Sequence, residues 1–365
     1  GERERHQQRE HEAGGAGHGH SLARRGSGAQ PFTGRVVEPL VRLPQAPGFR
    51  HDRDVREPDP SSADTLTEDE LAKTLGVAAA TLLDVARTVE QNPRSTIEPH
   101  RDGSVGSGQG ALLELGARRD ERGLAAGLEL GRTIGEGGMG VVRVATQRSL
   151  GREVAVKTLR PGVRGDAATL RLLREAWVTG SLEHPNIVPV YDLGLDENGA
   201  PLIVLKRIEG LPWSTVVHDA EAVRERFGAT DLLDYNLRIL VQLCNAVSLA
   251  HTRGVLHRDL KPENVMIGRF GEVYLVDWGI AVSLKDDETG RLPLASKATD
   301  LAGTPCYMAP EMLGAGGALS ERTDVYLLGA VLHEILTGEP PHKGGSFRAL
   351  VASVLSSRFT YPAGV

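Results

Sequence analysis

His257-Arg258-Asp259-Leu260-Lys261-Pro262-Glu263-Asn264 places a carboxylate and a carboxamide on one loop. Asp259 can accept a proton from an incoming hydroxyl, and Asn264 offers a neutral oxygen to a divalent cation. Lys261, just past the acid, is placed to stabilise charge on a group in transfer. Downstream, the strand-like run Val273-Tyr274-Leu275-Val276 leads into Asp277-Trp278-Gly279. The Asp277 carboxylate is a hard oxygen ligand of the kind Mg²⁺ takes.

Upstream of the loop, Ile134-Gly135-Glu136-Gly137-Gly138-Met139-Gly140-Val141-Val142 sets G-x-G-x-x-G between two β-branched runs. Missing side chains let backbone N–H groups approach a polyphosphate closely. A strand rather than a helix follows the glycines, so the motif is not a dinucleotide fingerprint. The chain has 44 glycines, and the motif alone also fits a plain Gly-rich hairpin. Val154-Ala155-Val156-Lys157 closes an apolar strand on a cation that can neutralise phosphate oxygens. Glu175, in Leu173-Arg174-Glu175-Ala176-Trp177 on the next predicted helix, can hold that cation in place.

The 365 residues are 40% apolar and 25% charged, ordinary for a soluble globular protein. A net charge of −6 carries no basic footprint for nucleic acid. Cys244 and Cys306 cannot build a disulfide framework, which favours a reducing compartment. No run reaches the ~18 apolar residues a membrane helix needs. The chain opens on Gly1 without a signal-peptide pattern, so a fragment and a processed product are both expected alternatives.

Phe32 and Phe49 are the aromatic residues before position 127; all others lie beyond it. A segment so poor in large apolar groups does not offset its ordering entropy, and residues 1–126 read as a largely disordered extension. His6, His11, His18 and His20 read there as solvated low-complexity sequence rather than a metal site. Thr67-Glu68-Asp69-Glu70 has capping-box spacing, with Leu71, Leu75, Leu82, Val85 and Val89 following at helical intervals. A short helix or helical pair is expected at 67–91, and a Gly/Ser linker at 103–110. From 128 onward, β-branched strands give way to helical periodicity at 166–182, 231–252 and 324–336. The order predicts an α+β fold, a small β-rich part and a larger helical part with a cleft between them.

Taken in order, the glycine loop, Val-Ala-Val-Lys, His-Arg-Asp-Leu-Lys-Pro-Glu-Asn, Asp-x-Gly and Ala309-Pro310-Glu311 resemble the signature set of eukaryotic-like (Hanks-type) serine/threonine protein kinases. The resemblance covers about 128–365. Leu182-Glu183-His184-Pro185-Asn186-Ile187-Val188 looks like the bacterial branch. It implies a bilobal protein-kinase fold, with an antiparallel β N-lobe and C helix at about 128–208. A mainly helical C-lobe at about 209–365 would be incomplete at its end. It implies ATP and Mg²⁺, and transfer of the γ-phosphoryl group to Ser/Thr hydroxyls by a non-specific serine/threonine protein kinase. Ile134, Gly135, Glu136, Gly137, Gly138, Met139, Gly140 and Val142 would cover the nucleotide. Lys157, held by Glu175, would anchor its phosphates, and Asn264 and Asp277 would hold the metal. Ala155 and Met266 would sandwich the adenine, with Leu205 as gatekeeper beside the hinge Lys206-Arg207-Ile208. Asp259 would orient and deprotonate the substrate hydroxyl.

Lys261 and Thr304 mark the serine/threonine class by resemblance, with Thr304 bridging Asp259 and Lys261. Arg258 would receive a phosphate from the segment 280–302, where Thr299 and Ser296 are the better acceptors. The implied partners are Ser/Thr-containing protein substrates and a second copy for trans-autophosphorylation, with no nucleic acid. The implied setting is a cytoplasmic kinase domain in signal transduction. Two features depart from the family. Trp278 stands where relatives carry Phe, and these 365 residues offer no equivalent of the arginine that relatives pair with Glu311. Asp324 should still tie the catalytic-loop backbone. Two rivals stand beside the active-kinase reading. One is a pseudokinase scaffold. The other is a small-molecule phosphotransferase of related fold, which Ala309-Pro310-Glu311 disfavours.

Overall fold

The computed structural model describes residues 67–98 and 127–356, apart from 76, 138–139, 164–165, 197, 287–289, 299 and 315–316. Residues 1–66 and 99–126 of the expected extension, with its linker at 103–110, and Gly138, Met139 and Thr299 lie outside the described residues.

The β-branched runs form five strands: β1 (Leu128–Glu136), β2 (Gly140–Gln147), β3 (Arg152–Leu159), β4 (Val190–Leu195) and β5 (Pro201–Lys206). They make one antiparallel sheet in the order β1-β2-β3-β5-β4. Strand residues alternate between its faces. Ala145, Val154, Val156, Leu202 and Val204 form one apolar cluster. Ile203 packs with Leu172 and Ala176 of helix α3 (Asp166–Ser181) in another. The register sets Lys157 opposite Val142 on one side and Ile203 on the other, so β3 presents the lysine beside the glycine hairpin.

The second lobe is mainly helical. Helix α4 (Ala220–Phe227) precedes α5 (Leu232–Thr252), whose N-cap Asp231 accepts a hydrogen bond from the Asp234 amide. Ile239, Leu243, Ala246, Val247 and Ala250 form the buried stripe of α5, at the period of a helix packed on one face. Helix α6 (Glu321–Thr337) ends at Gly338 in the left-handed region. Helix α7 (Phe347–Ser356) buries Phe347, Leu350, Val351 and Val354. Short strands β6 (Gly210–Pro212), β8 (Val265–Gly268) and β9 (Val273–Leu275) pair in that lateral order. Strand β7 (Val255–Leu256) pairs with β10 (Val282–Ser283). The loop 257–264 runs from β7 to β8, anchored at both ends. Among the described residues no helix is long and apolar enough to cross a membrane.

Upstream of the sheet lie α1 (Glu68–Thr74) and α2 (Ala79–Gln91). The capping box at Thr67 forms, with the Glu70 amide donating to the Thr67 hydroxyl and the Thr67 amide donating to Glu70. A helix as short as α1 is unstable alone, so packing must hold it. Leu71, Leu75, Leu82, Val85 and Val89 are buried in the same core cluster as Leu350, Val351 and Val354 of α7. Each such burial contributes about 1.5–3 kcal/mol. The helical pair expected at 67–91 forms, and residues 92–98 continue from it within the folded body. Its Leu and Val stripes suffice for burial because α7 provides an apolar surface to receive them. The Glu311 carboxylate is not an orphan. That carboxylate is half-buried and accepts the Thr323 hydroxyl at 2.8 Å.

Candidate active site

A cleft of about 570 Å³ opens between the sheet and the second lobe. Ile134, Gly135, Glu136, Gly137, Gly140 and Val142 line its roof, and Ala155 and Met266 line its walls. Leu205, Lys206 and Ile208 line it where β5 leaves the sheet, while Lys157, Glu175, Asn264 and Asp277 converge at its inner end. Gly140 meets its neighbours tightly. A Cβ there would lie 3.0 Å from the Thr158 carbonyl oxygen and 3.3 Å from Cε of Lys157. The glycine therefore lets the hairpin close directly over the lysine.

Lys157 Nζ donates to both Glu175 carboxylate oxygens at 2.6 Å, joining β3 to α3. Burial alone would depress the lysine pKa, but Glu175, Asp277 and Glu98 outweigh it, and the ammonium is held charged above its usual range. Asp277 is the mirror case. Burial pushes its carboxyl up, yet Lys157 and His257 outweigh burial and keep it below the ordinary carboxylate range. An anionic Asp277 suits a cation ligand. Its φ of 63° is left-handed, a strained setting for a non-glycine residue and frequent at functional sites.

Asn264 donates through Nδ2 to the Asp259 carbonyl and to Asp259 Oδ2, both at 2.8 Å. Its side-chain carbonyl oxygen is then left as an acceptor at the cleft. Among the described residues no three His, Cys, Asp or Glu side chains form a metal cage. Mg²⁺ needs none, since it is usually held by one or two protein oxygens together with phosphate oxygens and water. Asp277 and Asn264 fit that requirement, and Lys157 beside the glycine hairpin fits a polyphosphate.

Asp259 is a hub. Oδ1 accepts the Thr304 hydroxyl at 2.6 Å, and Lys261 Nζ donates to the same hydroxyl oxygen at 2.7 Å. Thr304 therefore bridges acid and lysine. Asp324, fully buried on α6, accepts the backbone amides of His257 and Arg258, each at 2.9 Å, and ties the loop from beneath. Arg258 sits at φ 69°, and burial lowers its guanidinium pKa to about 10 despite Asp324, Asp300 and Asp259 around it. Its Nη2 donates to the Asp300 carbonyl at 3.4 Å, within the segment expected to carry the regulatory phosphate. Ser296 in that segment is exposed. Trp278 is fully buried with its ring centroid 4.5 Å from that of His257. It joins the core of the helical lobe together with Val178 and Leu182 at the end of α3.

Arg94, Thr96, Ile97 and Glu98 carry no expectation from the sequence, yet all four reach this site. The Thr96 hydroxyl donates to Asp259 Oδ2 at 2.8 Å, and Glu98 lines the cleft. The one available signal was a basic residue followed by two hydroxyls, Arg94-Ser95-Thr96, directly after a predicted helix.

Comparison with known proteins identifies the family. The protein kinase domain family matches residues 128–360. A probable serine/threonine-protein kinase of Corynebacterium efficiens is 39% identical over 222 residues, 60% of this chain and 32% of the relative. The serine/threonine-protein kinase PknB of Mycolicibacterium smegmatis is 40% identical over 222 residues, 60% of this chain and 33% of the relative. PknD of Chlamydia trachomatis serovar L2b is 39% identical over 242 residues, 61% of this chain and 26% of the relative. The chain spans about a third of the length of the first two and less of the third. With an antiparallel sheet lobe, a helical lobe and the match over 128–360, the chain belongs to the protein kinase domain family, and the relatives it resembles are bacterial serine/threonine kinases.

Proposed function

We propose that this chain transfers the γ-phosphoryl group of ATP to Ser/Thr hydroxyls of protein substrates, in signal transduction, with its activity raised by autophosphorylation within 280–302. The observation that carries the reading is the Lys157–Glu175 pair at 2.6 Å, closed over a cleft whose inner end holds Asp277 and Asn264. A scaffold that had lost turnover would have no need of this charge arrangement together with a buried base. Bound Mg²⁺ supplies neutralisation of phosphate charge, and Asp277 and Asn264 would hold it.

This chain's residues supply position and electrostatics, the two things phosphoryl transfer needs most. Lys157 fixes a phosphate oxygen because Glu175 fixes Lys157. Asp259 takes the hydroxyl proton, with its carboxylate rotation set by Asn264 on one oxygen and Thr304 on the other. Lys261 offsets negative charge developing beside the acceptor. Thr304, tied to both Asp259 and Lys261, supports the serine/threonine class. Arg258, hydrogen-bonded to the Asp300 carbonyl, supports a regulatory phosphate in the neighbouring segment.

The test is incubation of the whole chain with Mg-ATP and a generic protein substrate, wild type beside Asp259→Asn. Loss of phosphate incorporation in the variant is expected, typically by a factor of about 10²–10⁴ for a removed proton acceptor. Equal incorporation by the two proteins would sink the mechanism. Tight nucleotide binding without turnover by the wild type would favour the scaffold reading.

A further inference from the structure

The segment that follows α2 crosses the active site as an acceptor peptide would. Arg94 Nη1 donates to Glu263 at 2.9 Å and to the Tyr307 hydroxyl at 2.7 Å, while Nη2 donates to the fully buried Glu334 at 2.5 Å. Thr96 Oγ1 donates to Asp259 Oδ2 at 2.8 Å and accepts from Lys261 Nζ at 2.6 Å. Lys261 also donates to the Arg94 carbonyl at 3.2 Å. Ile97 and Gly303 exchange both backbone hydrogen bonds, at 2.7 and 2.9 Å, which is a short antiparallel strand addition. Gly303 makes this pairing at φ +123°, a backbone setting that side chains rarely tolerate. Glu98 then pairs with Arg171 of α3 at 2.9 Å and lines the nucleotide cleft.

Each contact has a separate meaning, and together they leave little room for a passive tether. A strap that only covered the lobe would be held by apolar packing, as α1 and α2 are. Residues 94–98 bury Ile97, but they are also held by polar groups at the site, Glu263, Tyr307 and Glu334 on Arg94 and Asp259 and Lys261 on Thr96. The hydroxyl on Asp259 lies between the base and Lys261, where a substrate hydroxyl is needed for proton removal. The same strand is fastened to the helical lobe by Arg94 and to the sheet lobe by Glu98. No other chain can place a hydroxyl on Asp259 while it remains there.

We propose that Thr96 is this chain's own phosphoacceptor, modified in cis, and that residues 92–98 keep other hydroxyls from Asp259 until it is. The proposal rests on the kinase reading above. In the step, Thr96 Oγ1 forms a bond to the γ-phosphorus of ATP as the bond from that phosphorus to the β–γ bridging oxygen breaks. The hydroxyl proton passes to Asp259 Oδ2, and ADP departs. The product phosphate, carrying about −1.5 to −2 charges, then faces the Asp259 carboxylate, with Glu98 on the same strand and the single positive charge of Lys261 too small to balance them. Like-charge repulsion replaces a hydrogen bond, the strand leaves, and the base becomes available to other substrates.

The whole chain, first stripped of phosphate by a broad-specificity phosphatase, is incubated with Mg-ATP over a wide range of enzyme concentration. Phosphate on residue 96 is followed by mass spectrometry. A rate constant independent of enzyme concentration is expected, with phosphate still reaching position 96 in Thr96→Ser and absent there in Thr96→Val. A rate that climbs in proportion to enzyme concentration would overturn the cis assignment. Phosphorylation of an added substrate from the start, with Thr96 bare throughout, would overturn this proposal and leave the kinase reading intact. Absence of phosphate from Thr96 and from every added substrate would overturn both.

A second measurement needs no turnover. In nucleotide-free protein the amides of Ile97 and Gly303 should be protected from hydrogen exchange, and Arg94→Ala should abolish that protection. Rapid exchange at both amides in the wild type would show that the strand is not seated, and the proposal would fall.

Discussion

Asp324→Asn removes one of the two carboxylate oxygens that hold the catalytic loop. In the wild type Oδ1 accepts the Arg258 amide and Oδ2 accepts the His257 amide, both at 2.9 Å, with His251 Nε2 also 2.9 Å from Oδ2. These bonds oppose a cost. Arg258 sits at φ 69°, and a non-glycine residue in that region costs about 1–3 kcal/mol. Two buried amides bonded to a charged acceptor are worth about 1.5–3 kcal/mol each, so the carboxylate wins in the wild type. The asparagine amide has one oxygen and one NH₂, so one loop N–H must face a donor and go unsatisfied. That costs about 1–3 kcal/mol and removes most of the margin over the strain. Local opening of the loop should become easier by the same amount. Amide exchange at His257 and Arg258 should therefore rise roughly five- to 150-fold, while exchange in the core of α5 changes much less. Hydrogen exchange followed by NMR or by mass spectrometry of short peptides gives the readout. Unchanged exchange at both amides would refute the claim that this carboxylate holds the loop.

Lys157→Met should abolish nucleotide binding by calorimetry, and it leaves Glu175 buried without its cation, a change that costs about 3–5 kcal/mol in urea unfolding. Adding Glu175→Gln should restore much of the stability and none of the binding, which separates the structural from the nucleotide role. His342 is buried, with its ring nitrogens near the Tyr326 and Ser353 hydroxyls, and burial lowers its pKa to about 4. The unfolded chain therefore binds a proton below its ordinary value of about 6.5 that the native chain refuses. Stability should fall as pH drops from 7 toward 4, by about 2 kcal/mol between pH 7 and 5 from this group. His342→Gln should flatten that part of the pH profile, and an identical profile in the variant would contradict the assignment. Among the described residues, Trp278 Nε1 is buried without a partner. Trp278→Phe should cost less than about 1 kcal/mol in thermal unfolding, because relief of an unsatisfied donor offsets the lost volume, whereas Trp278→Ala should cost about 3–5.

Much of the site was legible because its chemistry demands particular atoms on particular local scaffolds. A glycine hairpin, a strand-ending lysine, an acid and carboxamide on one loop and an acid after a short strand can each be read locally. Their convergence in the cleft follows from strand order and lobe packing, as the Lys157–Glu175 contact shows. The α-helices at 166–181, 232–252 and 321–337 were likewise written in their apolar period. The helical pair within 67–91 was legible too, in its capping box and its Leu and Val period, but its docking was not. That burial comes from Leu and Val meeting α7, a surface far along the chain.

The amino-acid sequence by itself determined the family, the two-part architecture and the candidates for base, lysine and cation-ligand oxygens, since these depend on residue type and short spacing. Only the tertiary structure decided what occupies the base. Arg94-Ser95-Thr96-Ile97 is unremarkable as text. Its meaning lies in hydrogen bonds to residues 163 and 240 positions away. Such contacts depend on where folded surfaces meet, and no local pattern encodes them.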